Sequence, residues 1–401
     1  MVNKAKVYFG SIQHGQEHEF STLGPKFNKI IELLDFSTIK KHDKVAIKMH
    51  LGFNSGYQTV PVFFVRKVAQ AVKKAGGWPF VTDNPTSVYN AVNRGYTQET
   101  CGCPIIPIAG VKDGYTTQVE VNYKNVETLD LGGVLRDADV LIDLTHAKGH
   151  GCSAYGGAIK NIALGGYSGP SRWEKLHGVH AIDRYWDAEK CTHEHAKKLV
   201  ESCPYKALQY DEEKHKMSMI MFACRNELCL ECQEVDKDVG SLKIDPEQFT
   251  SFQEIMAIAA RKVLETFDKD KRFFLNVALA ITPHCDCMGM AQPSVVRDIG
   301  ILGSRDIVGI EAATLDLIKD AGLIKDAIPP YFKHTNLDPN ANLHPFSRLY
   351  GPLKNPYHVI DFAEKQNLGT REYELVEILP AEETLNMKPP KQEYEKQPSF
   401  Y

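Results

Sequence analysis

ADVLIDLTHAKGHGCSAYGGAIKNIALGG, residues 138–166, is the stretch that decides the fold. Its first nine residues carry the apolar run Val140–Leu141–Ile142 and Leu144 with no strict polar alternation, which predicts a buried strand as in a parallel sheet. A glycine-rich turn follows and leads into a helical pattern. Buried strand, glycine-rich loop and helix in that order form the first part of a βαβ unit. Ligands in open α/β sheets gather beyond the carboxyl ends of the strands, so the junction after residue 146 is the first place to look for chemistry.

The same alternation runs outward in both directions. Towards the N-terminus stand KAKVYFG (4–10), PKFNKIIELLDF (25–36), KVAIKMHL (44–51), PVFFVRKVAQAVKKAGG (61–77) and PFVTD (79–83). Pro61 at a first helical turn and Gly76-Gly77 past a last one stand where each residue type belongs. Towards the C-terminus stand SFQEIMAIAARKVLETF (251–267), FFLNVALAIT (273–282) and IVGIEAATLDLIKDAG (307–322), which predict helix, strand and helix. The expected class is α/β, a mostly parallel sheet with flanking helices. Between 184 and 245 histidine, cysteine and charge rise while apolar periodicity weakens, which predicts an inserted small domain. The expected division is 1–183 and 246–330 for the two parts of the body, 184–245 for the insert and 331–401 for a C-terminal extension. That extension is rich in Pro, Asn, Tyr and charge, so it is expected to bury little apolar surface and to wrap the body or a partner subunit.

A net charge of -4 does not advertise the basic face that phosphate binding needs, so a general nucleic-acid binder is not expected. No apolar run approaches the roughly 20 residues that span a bilayer, and the N-terminus lacks a signal-peptide pattern, so a cytoplasmic protein without a membrane segment is expected. Ten cysteines in a reducing compartment point to metal before disulfides.

The insert carries the strongest metal signal. In FACRNELCLECQEVDK (222–237), Cys224, Cys229 and Cys232 follow x4 and x2 spacing, and Asp236 stands where a ferredoxin half has its Cys-Pro. In two-cluster ferredoxins the fourth cysteine of each half ligates the other cluster. Here the other half keeps Cys203-Pro204, in ESCPYKAL. Counting back from Cys203 at ferredoxin spacing lands on Leu199, Ala196 and His193, and aligning forward from Cys191 lands on Glu194 and Lys197. The surviving cysteines are therefore those of one cluster. The prediction is a ferredoxin-like insert with one [4Fe-4S] cluster on Cys203, Cys224, Cys229 and Cys232, the other site being vacant. Four cysteines also suit tetrahedral zinc, but the Cys-Pro and the spacing favour iron-sulfur. Cys191, His193 and His195 read as surface residues left at the lost site, and Asp236 as no ligand.

ITPHCDCMGM (281–290) sets His284, Cys285 and Cys287 just after a buried strand. A Cys-x-Cys pair in extended chain points both thiols to one side, where they reach one metal or redox centre. His146, Lys148 and His150 alternate in the same way, with Cys152 next and Lys160 in the following helix. His146, Lys148, His150 and Lys160 are the catalytic candidates, by metal ligation, proton transfer or carboxylate binding. The glycines of AYGGAIKNIALGG are expected to offer backbone N–H groups to an anion. Lys48 and His50 end a neighbouring strand on the same rim. Cys101, Cys103 and Cys152 join Cys285 and Cys287 as candidates for a second metal or cluster.

Taken together, KVAIKMHLG, AGGWPFVTDNPT, HAKGHGCSAYGGAIKNIALG, the cysteine-bearing insert and the segment from ITPHCDCMGM through VVRDIGILGSRDIVGIEAATLDL resemble domain-of-unknown-function family 362, Fe-S centre proteins with an inserted ferredoxin-type domain. The resemblance spans roughly residues 4–330. It implies an α/β body, a ferredoxin-like insert and a redox setting in anaerobes. The first-half losses depart from the usual two-cluster insert and count against a two-cluster relay. A shorter likeness, to the nickel-pincer lactate racemase type, runs through His150, Gly156, Gly157, Lys160, Gly165 and His177 and implies where a cofactor would sit. The expected function is an oxygen-sensitive iron-sulfur oxidoreductase or electron-transfer protein. Its cluster would pass electrons to the Cys/His/Lys-lined site, serving a redox partner protein or a small-molecule substrate, in a homo-oligomer joined through the C-terminal extension. The alternatives are a non-redox metal-dependent racemase, lyase or isomerase with a structural cluster, and a metal-centre scaffold or maturation protein.

Overall fold

The computed structural model describes residues 4–180, 185–338 and 340–388. The expected boundary at 183/184 and the end of the tail, 389–401, lie outside the described residues. Val140–His146 is buried along its whole length, the consequence of strands on both sides and helices over both faces. It lies in an eight-stranded sheet of order Tyr373–Glu377, Ala5–Ser11, Gly300–Ser304, Arg272–Ala278, Val140–His146, Lys44–Lys48, Trp78–Asp83, Ile105–Pro107. The five strands from Arg272–Ala278 to Ile105–Pro107 pair in parallel. Gly300–Ser304 runs antiparallel to both of its neighbours.

Alternate residues of each strand feed two cores. Val45, Ile47, Ile142 and Leu144 face the helices Leu23–Leu33 and Val62–Ala75, while Ala46 and Leu141 face Ala158–Gly165, Pro246–Leu264 and Ile307–Ala321. This is the period-2 alternation of a sheet covered on both sides.

The extension departs from expectation. Phe346, Leu349, Tyr350, Val359, Ile360 and Ala363 are buried in the larger core, and Tyr373–Glu377 adds an edge strand in parallel to Ala5–Ser11. Its proline and charge mark turns and one outer face, while the apolar residues between them keep helical spacing. Residues 345–377 are thus part of the body.

Helix His193–Ser202, the hairpin Leu208–Asp211/Lys216–Met219 and helix Glu231–Asp236 make up the insert around a small core of Tyr185, Cys191, Ala196, Leu199, Leu208, Met217 and Leu242. Its seam with the body is tight. A Cβ on Gly151 would stand 2.7 Å from Phe222 Cβ, so only glycine lets the two chains approach this closely. Across the seam the buried Lys354 ammonium donates to the carbonyls of Gly151 (2.8 Å), Met221 (2.6 Å) and Cys224 (2.7 Å).

Candidate functional site

Beyond the carboxyl ends of Lys44–Lys48 and Trp78–Asp83, helix Ala158–Gly165 and the segment around Arg172 close a cavity of about 310 Å³. Its wall includes Lys48, His50, Asp83, Lys148, Lys160, Asn161, Arg172, His177 and Cys287. Gly165 permits this closure, since a Cβ there would meet Lys48 Nζ at 2.3 Å.

Lys48 ends its strand and is wholly buried. Its Nζ donates to Asp83 Oδ1 (3.1 Å), Asn161 Oδ1 (3.0 Å) and the Met49 carbonyl (3.1 Å). The other Asp83 oxygen accepts from the Leu51 N–H and from His50 Nδ1 at 2.7 Å. Burial works against the Asp83 charge, yet Lys48 and His50 beside it hold the carboxyl well below its usual range. Because an ionised carboxylate only accepts, the His50 proton sits on Nδ1. Nε2 is then a bare lone pair, buried and without a hydrogen-bond partner among the described residues, on a side chain that lines the cavity. This is the geometry of a general base oriented by a carboxylate.

Lys160 is 8% exposed, and its Nζ has no hydrogen-bond partner among the described residues. Burial and the nearby Lys148 push its pKa down to about 7. Lys148 donates to the His146 carbonyl (2.6 Å) and lies 3.5 Å from Asp286 Oδ2. Arg172 stacks on Trp173 at 5.2 Å, and its buried Nε is unpartnered among the described residues.

The sequence-selected residues divide. Lys148 and Lys160 line the cavity, whereas His146 turns away from it, Nδ1 to Asp286 Oδ1 (2.9 Å) and Nε2 to the Leu279 carbonyl (2.8 Å), and so positions Asp286. His150 stacks on Phe252, and Ser153 donates its N–H to Nδ1 (3.3 Å). Its ring lies with Cys285 and Cys287, one ligand atom from each falling within 4.8 Å of the others. Cys285 and Cys287 are joined as a disulfide, and Cys287 reaches the cavity wall. Cys101 and Cys103 lie in the core on the other face of the sheet from Cys152, so the five body thiols do not meet as one centre. Burial pushes the Cys101 thiol up to about 11 and the Cys152 thiol up to about 11, as for small core hydrophobes.

The helix-entry glycines do not face an anion from solution. Glu311 already fills that place, accepting from the N–H groups of Ala158 (2.9 Å) and Ile159 (3.3 Å), from Tyr155 Oη (3.0 Å) and from Asn276 (2.9 Å). An internal carboxylate takes the helix N-terminus.

In the insert, Cys203 caps helix His193–Ser202, its Sγ accepting from the Ala207 N–H at 3.2 Å. Cys224, Cys229 and Cys232 follow the hairpin, and all four are half-buried. Burial and the neighbouring Cys224 and Cys203 push the Cys232 thiol up to about 12, so this thiol resists ionisation. A cationic iron centre reverses that penalty, which is how the donor set fits such a group. Glu231 and His334 adjoin Cys229, one ligand atom from each of the three within 4.8 Å of the others.

The other half is filled. Ala196 and Leu199, at two missing ligand positions, are buried, and Cys191 belongs to the insert's core and not to its surface. Asp236 accepts from His195 Nε2 (2.9 Å), Ser241 Oγ (2.6 Å) and the Leu242 N–H (2.5 Å), which uses its oxygens internally. His193 and His215 both bond the Tyr210 hydroxyl.

Sequence reasoning missed Asp83, Arg172 and the proton-accepting position of His50. Asp83 was detectable as an acid at the end of a predicted strand, whereas nothing local marks Arg172. No helix among the described residues is long and apolar enough to cross a membrane. Among curated proteins none matches this sequence. Among solved structures, the lactate racemase apoprotein from Thermoanaerobacterium thermosaccharolyticum is similar at 8% identity and a TM-score of 0.36, over 80% of this chain. The chain spans 58% of that protein. The sequence matches the domain of unknown function DUF362 over residues 45–316, about two thirds of its length, and the chain belongs to that family.

Proposed function

We propose that the protein is an iron-sulfur redox enzyme whose insert feeds electrons to the Cys285–Cys287 pair at the wall of the cavity. The donor set would be Cys203, Cys224, Cys229 and Cys232, and a [4Fe-4S] cluster bound there supplies one-electron transfer. The observation that carries this proposal is a continuous packed route between the two cysteine groups. Arg225 follows Cys224 in the chain, and its buried guanidinium lies 5.2 Å from the Tyr350 ring centroid. Tyr350 Oη donates to His284 Nδ1 at 3.1 Å, and His284 precedes Cys285. Burial holds His284 neutral, its pKa pushed down to about 3.

The chemistry balances as a disulfide reduction. Two single electrons from a one-electron donor protein and two protons convert the Cys285–Cys287 disulfide to two thiols. His50 Nε2 is a proton-accepting group on the same cavity. Lys148 and Lys160 give that cavity its positive wall, His146 fixes Asp286, and His150 packs against the cysteine pair.

The grouping of His150, Cys285 and Cys287 favours one other function, a non-redox metal enzyme. Two thiolates and an imidazole form a three-ligand set that leaves a position open, as catalytic zinc sites do. Iron, sulfide and trace-metal counts on anaerobically purified protein, with EPR before and after dithionite, separate the two. About four irons with one reducible signal, and thiols at Cys285 and Cys287 that appear only on reduction, are expected. A stoichiometric second metal lost on Cys287→Ser establishes the metal enzyme instead. Absence of iron and sulfide overturns the redox role.

A further inference from the structure

The charges of the cavity do not cancel. Of its cations, Lys48 is matched by Asp83, and Lys148 faces Asp286. Among the described residues, Lys160 and Arg172 have no carboxylate partner within ion-pair distance and Asp83 is the only acid on the wall. A buried ammonium without a counter-charge is costly, and a fold retains one where a ligand supplies the missing anion. The buried, unpartnered Nε of Arg172 is a second donor in need of an acceptor.

We infer that the cavity is the substrate site and that it binds a small organic acid, whose carboxylate lies between Lys160 and Arg172. This deepens the proposed redox role and rests on it for the identity of the site. A volume of about 310 Å³ stands at the lower end for small-molecule pockets, which suits a metabolite of a few carbons. Phe53, Leu164 and Trp173 give an apolar wall for the carbon chain. His50, its Nδ1 held by Asp83, stands on the same wall.

The test is calorimetric titration of the anaerobically purified holoprotein with succinate, oxalate and inorganic phosphate at constant ionic strength. Saturable binding of a carboxylate at one site per chain is expected, weakened at least tenfold in Lys160→Met and in Arg172→Met. Lys160→Arg, which keeps the charge, should recover most of the loss. Should Lys160→Met misfold, as judged by its melting curve, Arg172→Met carries the test. No saturation, or binding unchanged in both variants, overturns the inference. Saturation by phosphate alone keeps an oxyanion site but overturns the organic acid. Iron counted on the same sample tells the two failures apart: no iron removes the redox role, whereas a full cluster without acid binding removes only this assignment.

Discussion

The two halves of the insert differ in how they use the positions that ferredoxin spacing marks. One half keeps four half-buried thiols. The other has Ala196, Leu199 and Cys191 packed into a core, with Asp236 bound by three donors. The difference shows what a metal centre would need in order to close once its ligands are gone. Its volume has to be refilled with apolar side chains and its remaining polar position neutralised by internal hydrogen bonds, because voids and unsatisfied buried groups each cost stability. The thiol half keeps Cys232 beside Cys224 and Cys203, and burial together with those neighbours disfavours its thiolate.

The largest effect should come from breaking the thiol half. Cys203→Ala is expected to take iron from about four per chain to below about one, measured by metal analysis and loss of the EPR signal. The matching change in the filled half, Asp236→Cys, restores a ligand on paper and should add no iron, because Ala196 and Leu199 occupy the space. Eight irons in that variant would show the filled half to be open after all. Next in size, Leu199→Ala should destabilise the insert by about 2–5 kcal/mol in chemical unfolding, with the iron count unchanged in the folded fraction. Asp236→Ala, by stranding the partners on Ser241, Leu242 and His195, should cost about 2–4 kcal/mol.

Much of this was legible in the chain. Long amphipathic helices and buried strands announce themselves through period, and the cysteine spacing singled out the four thiols on which the proposed cluster rests. Three things were not legible. Gly300–Ser304 is short and reads as loop, yet it supplies the antiparallel strand of the sheet, because its neighbours and not its own propensity determine its pairing. The C-terminal region looked like a solvated wrap, since composition averages over turns and hides the apolar face of Pro345–Tyr350. In the site, Lys48 and His50 were visible as a strand end, but their partner Asp83 lies 33 residues from His50, and a pairing set by sheet register leaves no local trace.

A third contrast sets Asp236 against another buried acid, Asp143. Asp143 accepts from Thr145 at 2.6 Å and from Asn161, but its Oδ2 has no partner among the described residues. Burial pushes its pKa from 3.8 up to about 7. Between those values the folded chain holds a proton that the unfolded chain has released, so stability falls as pH rises through the window, by up to about 4 kcal/mol in all. Asp143→Asn should flatten that fall, as read from denaturant midpoints at intervals from pH 4 to pH 8. A slope unchanged in the variant would assign the dependence to another group.

The smallest effect separates the cysteines proposed to hold the cluster from those that only pack. Cys103 is buried against the helix-covered face opposite Cys152, and burial together with Cys101 pushes its thiol up to about 12. A neutral thiol in an apolar core is a poor ligand and a poor nucleophile, because both roles belong to the thiolate. Cys103→Ala should therefore cost about 1–2 kcal/mol through lost packing and leave iron, sulfide and any second metal at the level of the unaltered protein. Alkylation of the native protein should label neither Cys101 nor Cys103 until it unfolds. Metal lost on this substitution would instead join the Cys101/Cys103 pair to a centre, and the contrast between ligand cysteines and core cysteines would have to be redrawn around the far side of the sheet.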